Sequence, residues 1–193
     1  KHLGKRSVRL IQLGERVLLE SFDKEITDVM EEEIRAHEGV ELHLEEAVQE
    51  IIEKDGKVVG IKTNKGEYKA DLVVISTGVR PNTAFLKETG IEMLPNGALI
   101  IDEFGKTSID SIYSAGDCAT VYHRVRKENV YIPLATTANK IGRIVGENLA
   151  GKNTPFAGTL GSAAIKVLDV EAGRRGITEN EAIKMGINYK TVF

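Results

Sequence analysis

Residues 112–119 read IYSAGDCA, and this stretch decides how the rest of the sequence is interpreted. A short apolar run leads directly into the small residues Ala115 and Gly116, and the acidic side chain of Asp117 follows at once. Ligands of open α/β sheets bind at the carboxyl ends of strands, where a glycine lets them approach the backbone. The pattern therefore predicts a binding turn in which the Asp117 carboxylate accepts hydrogen bonds from ligand hydroxyl groups. The structural alternative is that Asp117 only caps a loop.

A helix is predicted downstream over PLATTANKIGRIVGENLAGK, residues 133–152. Pro133 suits the first turn of a helix, and Gly151 is placed to end it. Backbone N–H groups at a helix start and the positive end of the helix dipole favour negative charge. We expect the N–H groups of Leu134, Ala135 and Thr136 to form such a site. An ordinary amphipathic helix is the alternative.

A third turn is predicted in ISTGVRPN, residues 75–82. The apolar residues 72–75 are typical of a strand covered on both faces. This strand is expected to end at Thr77 and Gly78, where a nucleotide could approach the backbone, and Pro81 restricts the exit from the turn.

The three features, in this order, resemble the pyridine nucleotide–disulfide oxidoreductases, which are flavoproteins with two dinucleotide-binding domains. The ATG-type turn that closes the NAD(P)H domain of that family is matched by Ser76-Thr77-Gly78 and Arg80-Pro81. The T-S-x-x-x-IYAAGD segment that returns to the FAD domain is matched by Thr107-Ser108 and residues 112–117. The resemblance implies FAD as the cofactor and NAD(P)H as the co-substrate.

The same resemblance implies roles for the candidate site residues. Asp117, beside Gly116, would hold the ribityl chain of FAD. The helix start at Leu134, Ala135 and Thr136 would stabilise the negative charge that a reduced flavin carries on its pyrimidine edge.

The pyridine nucleotide is assigned to Gly78 and to the loop that contains Gln12 and Arg16. NAD-specific members carry an acid near Gln12 for the ribose 2′-hydroxyl. Because Gln12 is not acidic and Arg16 could meet a 2′-phosphate, NADPH is expected to be tolerated. The alternative is that both side chains only face solvent.

Two further segments are similar to the coenzyme A–disulfide reductase and NADH oxidase subgroup. They are residues 133–152 and GTLGSAAIKVLDVEAGRRGITENEA, residues 158–182. In that subgroup, G-T-x-G-S/T-A opens the C-terminal dimerisation domain, so a homodimer is implied. Electrons would pass from FAD to coenzyme A disulfide, a related disulfide or persulfide, or dioxygen. A flavin reductase that serves a protein partner is an alternative.

The predicted fold class is α/β, with parts of two Rossmann-like domains. A strand is expected over residues 7–13, buried in the sheet, followed by a helix over 22–34 and a strand over 40–44. A three-stranded meander with turns at Asp55-Gly56 and residues 64–66 comes next. Short strands are expected at 99–101 and 112–114, one strand in 159–176, and a helix capped by Thr178. The domains predicted are 1–80 (NAD(P)H), 81–152 (FAD) and 153–193 (dimerisation).

The two G-x-G-x-x-G loops of the family and its redox cysteine are not matched in the sequence. We therefore expect the rear part of a longer protein, with the redox cysteine outside these residues. The single cysteine, Cys118, does not match the nucleophile's position and is predicted to be a small buried residue. A non-catalytic fragment that folds or dimerises is the rival interpretation.

Composition excludes several other functions. Hydrophobic residues make up 41% and charged residues 28% of the 193 residues, and the net charge of −3 gives no basic footprint for nucleic acid. No apolar run is long enough to span a bilayer. One cysteine suits a reducing cytoplasm. The four histidines, predicted to lie at the surface, show no ligand spacing, and no metal site is expected: His2, His37, His43 and His123.

Overall fold

The structure is a computed structural model that describes residues 6–192. The described chain forms two compact units. The first unit is built from residues 6–76, 163–174 and 178–192, and the second from residues 77–162 and 175–177. Among the described helices, none is long and apolar enough to cross a membrane. The domain boundaries expected at residues 80 and 152 stay predictions.

The first unit begins with the predicted strand, helix and strand. Strand β1 (Val8–Ile11), helix α1 (Lys24–Ala36) and strand β2 (Val40–His43) follow in order. The two strands pair in parallel, with Val8 opposite Val40. The buried core of this part contains Val17, Phe22, Met30 and Ile34. The strand–helix–strand prediction is confirmed.

Strand β1 is more exposed than predicted. Val8 is 39% exposed and Leu10 is 41% exposed. The two-stranded sheet consists of β1 and β2 alone within residues 6–192, so one edge of β1 has no neighbour to cover it. The expectation of a buried strand is therefore wrong for this chain.

The predicted meander is present as a three-stranded antiparallel sheet. Strands β3 (Val48–Lys54), β4 (Lys57–Thr63) and β5 (Glu67–Lys69) pair in chain order. Asp55 and Gly56 join the first two with φ values of 53° and 75°. Positive φ at both central residues is the geometry of a type I′ hairpin turn, which explains this dipeptide.

A buried carboxylate lies against the meander. Glu46 is 2% exposed and accepts hydrogen bonds from Thr63 Oγ1 at 2.5 Å and, where that ring nitrogen is protonated, from His43 Nδ1 at 3.1 Å. The Thr63 hydrogen bond is the main reason that the pKa of Glu46 lies below its ordinary value. The charged form of Glu46 is therefore the one that the fold stabilises.

The predicted strand at residues 72–75 is not formed. Leu72, Val74 and Ile75 are exposed by 78%, 79% and 70%. A strand exists only through hydrogen bonds to a neighbouring strand, and no described strand pairs with this run. The prediction from the apolar pattern is wrong for the described residues.

The second unit contains an antiparallel hairpin and a long helix. Strands β6 (Val121–His123) and β7 (Glu128–Val130) pair with Val121 opposite Val130, and helix α2 (Ala135–Leu149) follows. The short strands predicted at 99–101 and 112–114 are only isolated bridges, such as the one between Leu99 and Ala119. The hairpin was not predicted, because each of its strands has only three residues, which is too few to show an alternating pattern.

Helix α2 differs from the prediction at its start and agrees at its end. Leu134 is the N-cap, so Pro133 precedes the helix instead of standing in its first turn. Gly151, with φ of 88°, follows the C-cap Ala150 and ends the helix as predicted. Helix α2 contributes Ile141 and Val145 to a buried core that also contains Ile101, Ala119, Val121 and Val130.

The chain ends with a hairpin and a short helix that belong to the first unit. Strands β8 (Ala163–Val167) and β9 (Val170–Arg174) pair across a tight turn, where a single strand was predicted. Helix α3 (Glu179–Lys184) has the predicted cap, a capping box between Thr178 and Glu181. The backbone N–H of Glu179 donates to the Asp23 carboxylate at 2.9 Å, and that of Asp169 donates to Glu33 at 3.2 Å.

Candidate functional site

The turn at Gly116 and Asp117 is open to a ligand. Gly116 has φ of 84°, and a Cβ built on it would meet nothing within 4 Å. The Ala119 N–H donates to the Gly116 carbonyl at 3.2 Å, and the Leu99 N–H donates to the Cys118 carbonyl at 2.9 Å, so the turn is held from both sides. Asp117 is exposed, and no hydrogen bond joins its carboxylate to any residue between 6 and 192.

Tyr131 adds a buried polar group beside this turn. Its hydroxyl is buried and has no hydrogen-bond partner among the described residues. Burial is the main reason that the pKa of Tyr131 is raised, and the negative charges of Asp117 and of a Cys118 thiolate raise it further. A buried hydroxyl without a partner costs about 1–3 kcal/mol. The position therefore suits a polar ligand group next to Asp117.

Sequence reasoning missed Tyr131. It stands in VYIP, residues 130–133, where an aromatic residue in an apolar run indicates core packing. Its neighbours in the sequence carry no sign that its hydroxyl lacks a partner. A tyrosine directly before the helix that was already assigned to a ligand is the one signal that could have drawn attention to it.

The start of helix α2 offers two N–H groups instead of the three expected. The Leu134 N–H donates to the Ile132 carbonyl at 2.9 Å, because the chain makes a tight turn before the helix. The Leu134 carbonyl instead accepts from Thr137 and Ala138, both at 2.9 Å. No backbone acceptor within the described chain takes the N–H groups of Ala135 and Thr136, which are exposed at the positive end of the helix.

The Asp117 turn and the helix start rest on one core. Ala115, just before the turn, and Ile132, just before the helix, both pack against the cluster that contains Ile141 and Val145 of α2. Packing of this kind holds the two polar features in a constant arrangement. The structure thus places Gly116, Asp117, Leu134, Ala135 and Thr136 in the same unit.

The residues assigned to the pyridine nucleotide fall in both units. Gly78 belongs to the second unit, has φ of 88° and is exposed, with nothing within 4 Å of a Cβ built on it. Gln12 and Arg16 belong to the first unit and are half-buried. The Gln12 side-chain amide donates to the Arg16 carbonyl at 3.2 Å, which fixes the loop between them.

The Arg16 guanidinium is engaged by a carboxylate. It forms an ion pair with Asp28 of α1 and lies 3.4 Å from Thr27 Oγ1. The hydrogen bond with Asp28 raises the pKa of Arg16, and Lys24 together with Arg16 lowers the pKa of Asp28. A 2′-phosphate would therefore compete with Asp28 for Arg16.

Cys118 is half-buried, close to the prediction. Its thiol donates to the Ala115 carbonyl at 3.4 Å and lies 3.5 Å from Ser114 Oγ. These contacts hold the side chain against the backbone of the turn.

His123 is buried, and the prediction of a surface position is wrong for it. Its Nδ1 accepts from the N–H groups of Val125 and Arg126, both at 3.2 Å, because the ring fills the turn of the β6–β7 hairpin. His37 and His43 are half-buried, and His2 lies outside the described residues. Among residues 6–192, no group of three or more His, Cys, Asp or Glu side chains could hold a metal ion.

The strand–helix–strand segment, the meander, and the Gly-Asp turn followed by a helix start agree with the parts of two dinucleotide-binding domains that the sequence predicts. The chain belongs to the pyridine nucleotide-disulphide oxidoreductase family, whose sequence profile matches residues 1–142. The family predicted from the turn motifs is thereby confirmed.

Known relatives agree with this assignment. The NAD(P)H sulfur oxidoreductase (CoA-dependent) of Pyrococcus furiosus is 44% identical over 97% of this chain and 42% of its own length. The water-forming NADH oxidase of Lactobacillus brevis has a similar structure, with a TM-score of 0.85 and 38% identity over 94% of this chain and 40% of its own. An FAD-dependent member from Desulfovibrio vulgaris gives a TM-score of 0.84 and 31% identity, over 92% of this chain and 45% of its own. The chain thus spans about two fifths of the length of the curated relatives it matches.

Proposed function

We propose that the chain is part of a flavoprotein oxidoreductase that takes a hydride from NAD(P)H. Electrons would leave for coenzyme A disulfide, a related disulfide or persulfide, or dioxygen. FAD, when bound, supplies the electron-transfer chemistry, while the protein supplies binding, orientation and electrostatics. The proposal is supported by the family and by the functions of the named relatives, a sulfur oxidoreductase and an NADH oxidase.

The observation that carries the proposal is the hydroxyl of Tyr131 beside the open Asp117 turn, which is buried and has no hydrogen-bond partner within residues 6–192. A ribityl chain is a row of hydroxyl groups, and it needs acceptors and donors at close range. The exposed Asp117 carboxylate accepts, the Tyr131 hydroxyl can donate, and Gly116 leaves room for the approach. The residues present therefore fit the group.

The helix start would complete the flavin site. The N–H groups of Ala135 and Thr136 and the dipole of the 15-residue helix α2 would stabilise a negative charge at the helix N-terminus. The Leu134 N–H already donates to the Ile132 carbonyl, so Leu134 would contribute as the N-cap residue and not as a donor to the flavin.

For the pyridine nucleotide, we propose that the loop from Gln12 to Arg16 in the first unit contacts it and that both NADH and NADPH are accepted. Gly78 is proposed as a nucleotide contact of the second unit. Gln12 is uncharged, so it does not repel a 2′-phosphate, and its amide can bond a 2′-hydroxyl. Asp28 holds Arg16 near this loop, which moderates any preference for the phosphorylated nucleotide.

The electron-accepting cysteine is assigned outside these residues, and no catalytic residue is assigned within them. Cys118 is held against the Ala115 carbonyl and follows the aspartate of the proposed ribityl site, so it is not placed as the nucleophile. A homodimer is proposed because residues 158–182 resemble the opening of the dimerisation domain. A cytoplasmic location is proposed from the single cysteine.

The direct test is flavin retention by the purified 193-residue chain. The chain is mixed with excess FAD and passed through gel filtration, and the visible absorption spectrum is recorded. We expect retained flavin, with Asp117→Asn weakening FAD binding by roughly tenfold, since it removes a charged acceptor. Asp110→Asn, an exposed aspartate of the same unit, is the matched control and should bind as the original chain does.

Colourless protein would contradict a flavin site in this chain and favour the non-catalytic alternative. In the longer polypeptide, bleaching of bound flavin by NADH or NADPH tests the electron donor separately. No bleaching with either nucleotide would refute the proposed reaction even if the flavin is retained.

A further inference from the structure

A polar cleft of about 350 Å³ lies in the second unit, beside the proposed flavin site, with which it shares Thr136 at the start of α2. Its lining comes from the end of strand β6, the first two turns of helix α2, the loop at residues 156–162, and residue 175. Three of the lining side chains are cations, Arg124, Lys140 and Arg175. Four hydroxyl-bearing residues line the same cleft: Thr136, Thr137, Thr159 and Ser162.

The backbone builds this cleft around Gly158. The Arg124 N–H donates to the Thr159 carbonyl and the Thr159 N–H donates to the Tyr122 carbonyl, both at 2.8 Å, so the loop runs beside β6. Gly158 has φ of 85°, and a Cβ built on it would lie 2.7 Å from the Tyr122 carbonyl oxygen and 3.1 Å from Arg124 Cγ. The absence of a side chain at 158 therefore lets the stem of Arg124 lie along the loop and form one wall of the cleft.

The charge of the cleft is not balanced by the protein. Within residues 6–192, no ion pair or side-chain hydrogen bond engages Arg124, Lys140 or Arg175, and no Asp or Glu lines the cleft. Several cations elsewhere in the chain are paired with carboxylates, for example Arg9 with Glu41, Lys24 with Asp28, Arg126 with Glu128 and Lys166 with Glu171. In a chain with a net charge of −3, three cations that share one cleft without a carboxylate create a local positive potential that attracts an external anion.

We propose that this cleft binds a phosphate group. Guanidinium and ammonium groups with hydroxyl donors are the recognition set for a tetrahedral dianion, and Arg124 and Arg175 can each present two N–H groups to its oxygens. The start of α2, which contributes Thr136 and Thr137 to the lining, adds the positive end of a helix dipole. The phosphate is either free or the terminal group of a nucleotide, since the same contacts serve both.

The first experiment titrates the 193-residue chain with inorganic phosphate at low ionic strength, followed by phosphorus NMR and calorimetry. We expect saturable binding that weakens as chloride is added. Arg124→Gln and Lys140→Gln should each weaken the binding by about tenfold, because each removes a charged donor. Arg124→Lys, which keeps the charge, should recover part of the loss. Lys87→Gln removes an exposed lysine elsewhere in the same unit, which has no ion pair with any described residue, and is the matched control.

A second titration with ADP distinguishes the two sources of phosphate. If the group belongs to a nucleotide, ADP binds more tightly than inorganic phosphate and is weakened by the same two variants. Equal or weaker ADP binding that responds to those variants indicates free phosphate. The proposal is overturned if neither probe binds, or if Lys87→Gln loses as much affinity as Lys140→Gln. Flavin retention by Lys140→Gln is measured in parallel and should equal that of the original chain. The phosphate-binding proposal and the flavin proposal can therefore be refuted independently.

Discussion

Replacing Tyr131 by phenylalanine should have opposite effects on the flavin-free and the flavin-loaded chain. In the flavin-free chain, the hydroxyl is buried without a partner among the described residues, which costs about 1–3 kcal/mol. Tyr131→Phe keeps the ring and removes that cost, so we expect the free energy of unfolding to rise by about 1 kcal/mol. With FAD bound, the variant loses a hydrogen bond to the ligand, and FAD affinity should fall by roughly two- to tenfold.

Urea denaturation of the flavin-free chain and FAD titration of the folded chain give the two quantities. Tyr122→Phe is the control, since Tyr122 is 43% exposed on the neighbouring strand and its hydroxyl reaches water. We expect Tyr122→Phe to change the free energy of unfolding by less than about 0.5 kcal/mol. If Tyr131→Phe destabilises the flavin-free chain more than this control does, the hydroxyl has a partner in the free protein and the reasoning is refuted.

Two further predictions concern the core of each unit. The pKa of Glu46 is lowered in the folded state, so its contribution to stability is present above its ordinary pKa and is lost as the pH falls through the lower folded value. When the pH is lowered and unfolding is followed by circular dichroism, Glu46→Gln should therefore lose stability less steeply with pH than the original chain. Glu45→Gln, at an exposed position, is the control and should follow the original chain. The same dependence of stability on pH for both variants would contradict this account. Gly105→Ala should lower the free energy of unfolding by about 2 kcal/mol or more, because its Cβ would lie 2.2 Å from Val145 Cγ2. Gly116 also has a positive φ, but a Cβ built on it would meet no atom within 4 Å, so Gly116→Ala introduces backbone strain without a clash. If thermal denaturation shows the same loss of stability for both variants, the effect comes from backbone strain alone.

Local chemistry made several elements predictable from the sequence. Asp55-Gly56 specifies a type I′ turn through the backbone conformations that these residues tolerate. Thr178 begins α3 because its hydroxyl and the Glu181 side chain satisfy the first N–H groups of the helix. In both cases the residues that determine the local structure lie within a few positions of one another, so a short stretch of sequence is enough to predict it.

Features that depend on distant partners were not predictable in the same way. The run at residues 72–75 has the composition of a buried strand, but a strand forms only where another pairs with it. Likewise, the burial of His123 follows from the loop that packs over it: a Cβ at Gly161 would lie 2.6 Å from its Nε2. Neither periodicity nor composition reports such contacts.

The parts of the candidate site that are formed by consecutive residues were predictable from the sequence. The parts that depend on contacts between distant side chains were not. Turns and helix starts have recognisable patterns of consecutive residues. For this reason the sequence predicted the turn at Gly116 and Asp117 and the helix after Pro133. The pairing of Arg16 with Asp28 joins a loop to a helix twelve positions away and leaves no pattern in the sequence. Tyr131 was missed for the same reason, since only the folded chain shows which hydroxyl groups lack a partner.

The discontinuous first unit sets an order of events during synthesis. Asp23 and Glu33 near the start of the chain accept backbone N–H groups from Glu179 and Asp169, near its end. Those bonds cannot form until residues 169–179 have left the ribosome, and almost the entire second unit is made between the two ends of each bond. Closing a loop of that length is entropically costly, but a second unit that has already folded shortens the flexible chain to be closed. Folding of the second unit first is therefore the faster route. Mutations in the core of the second unit should then delay folding of the first unit, although they lie outside it.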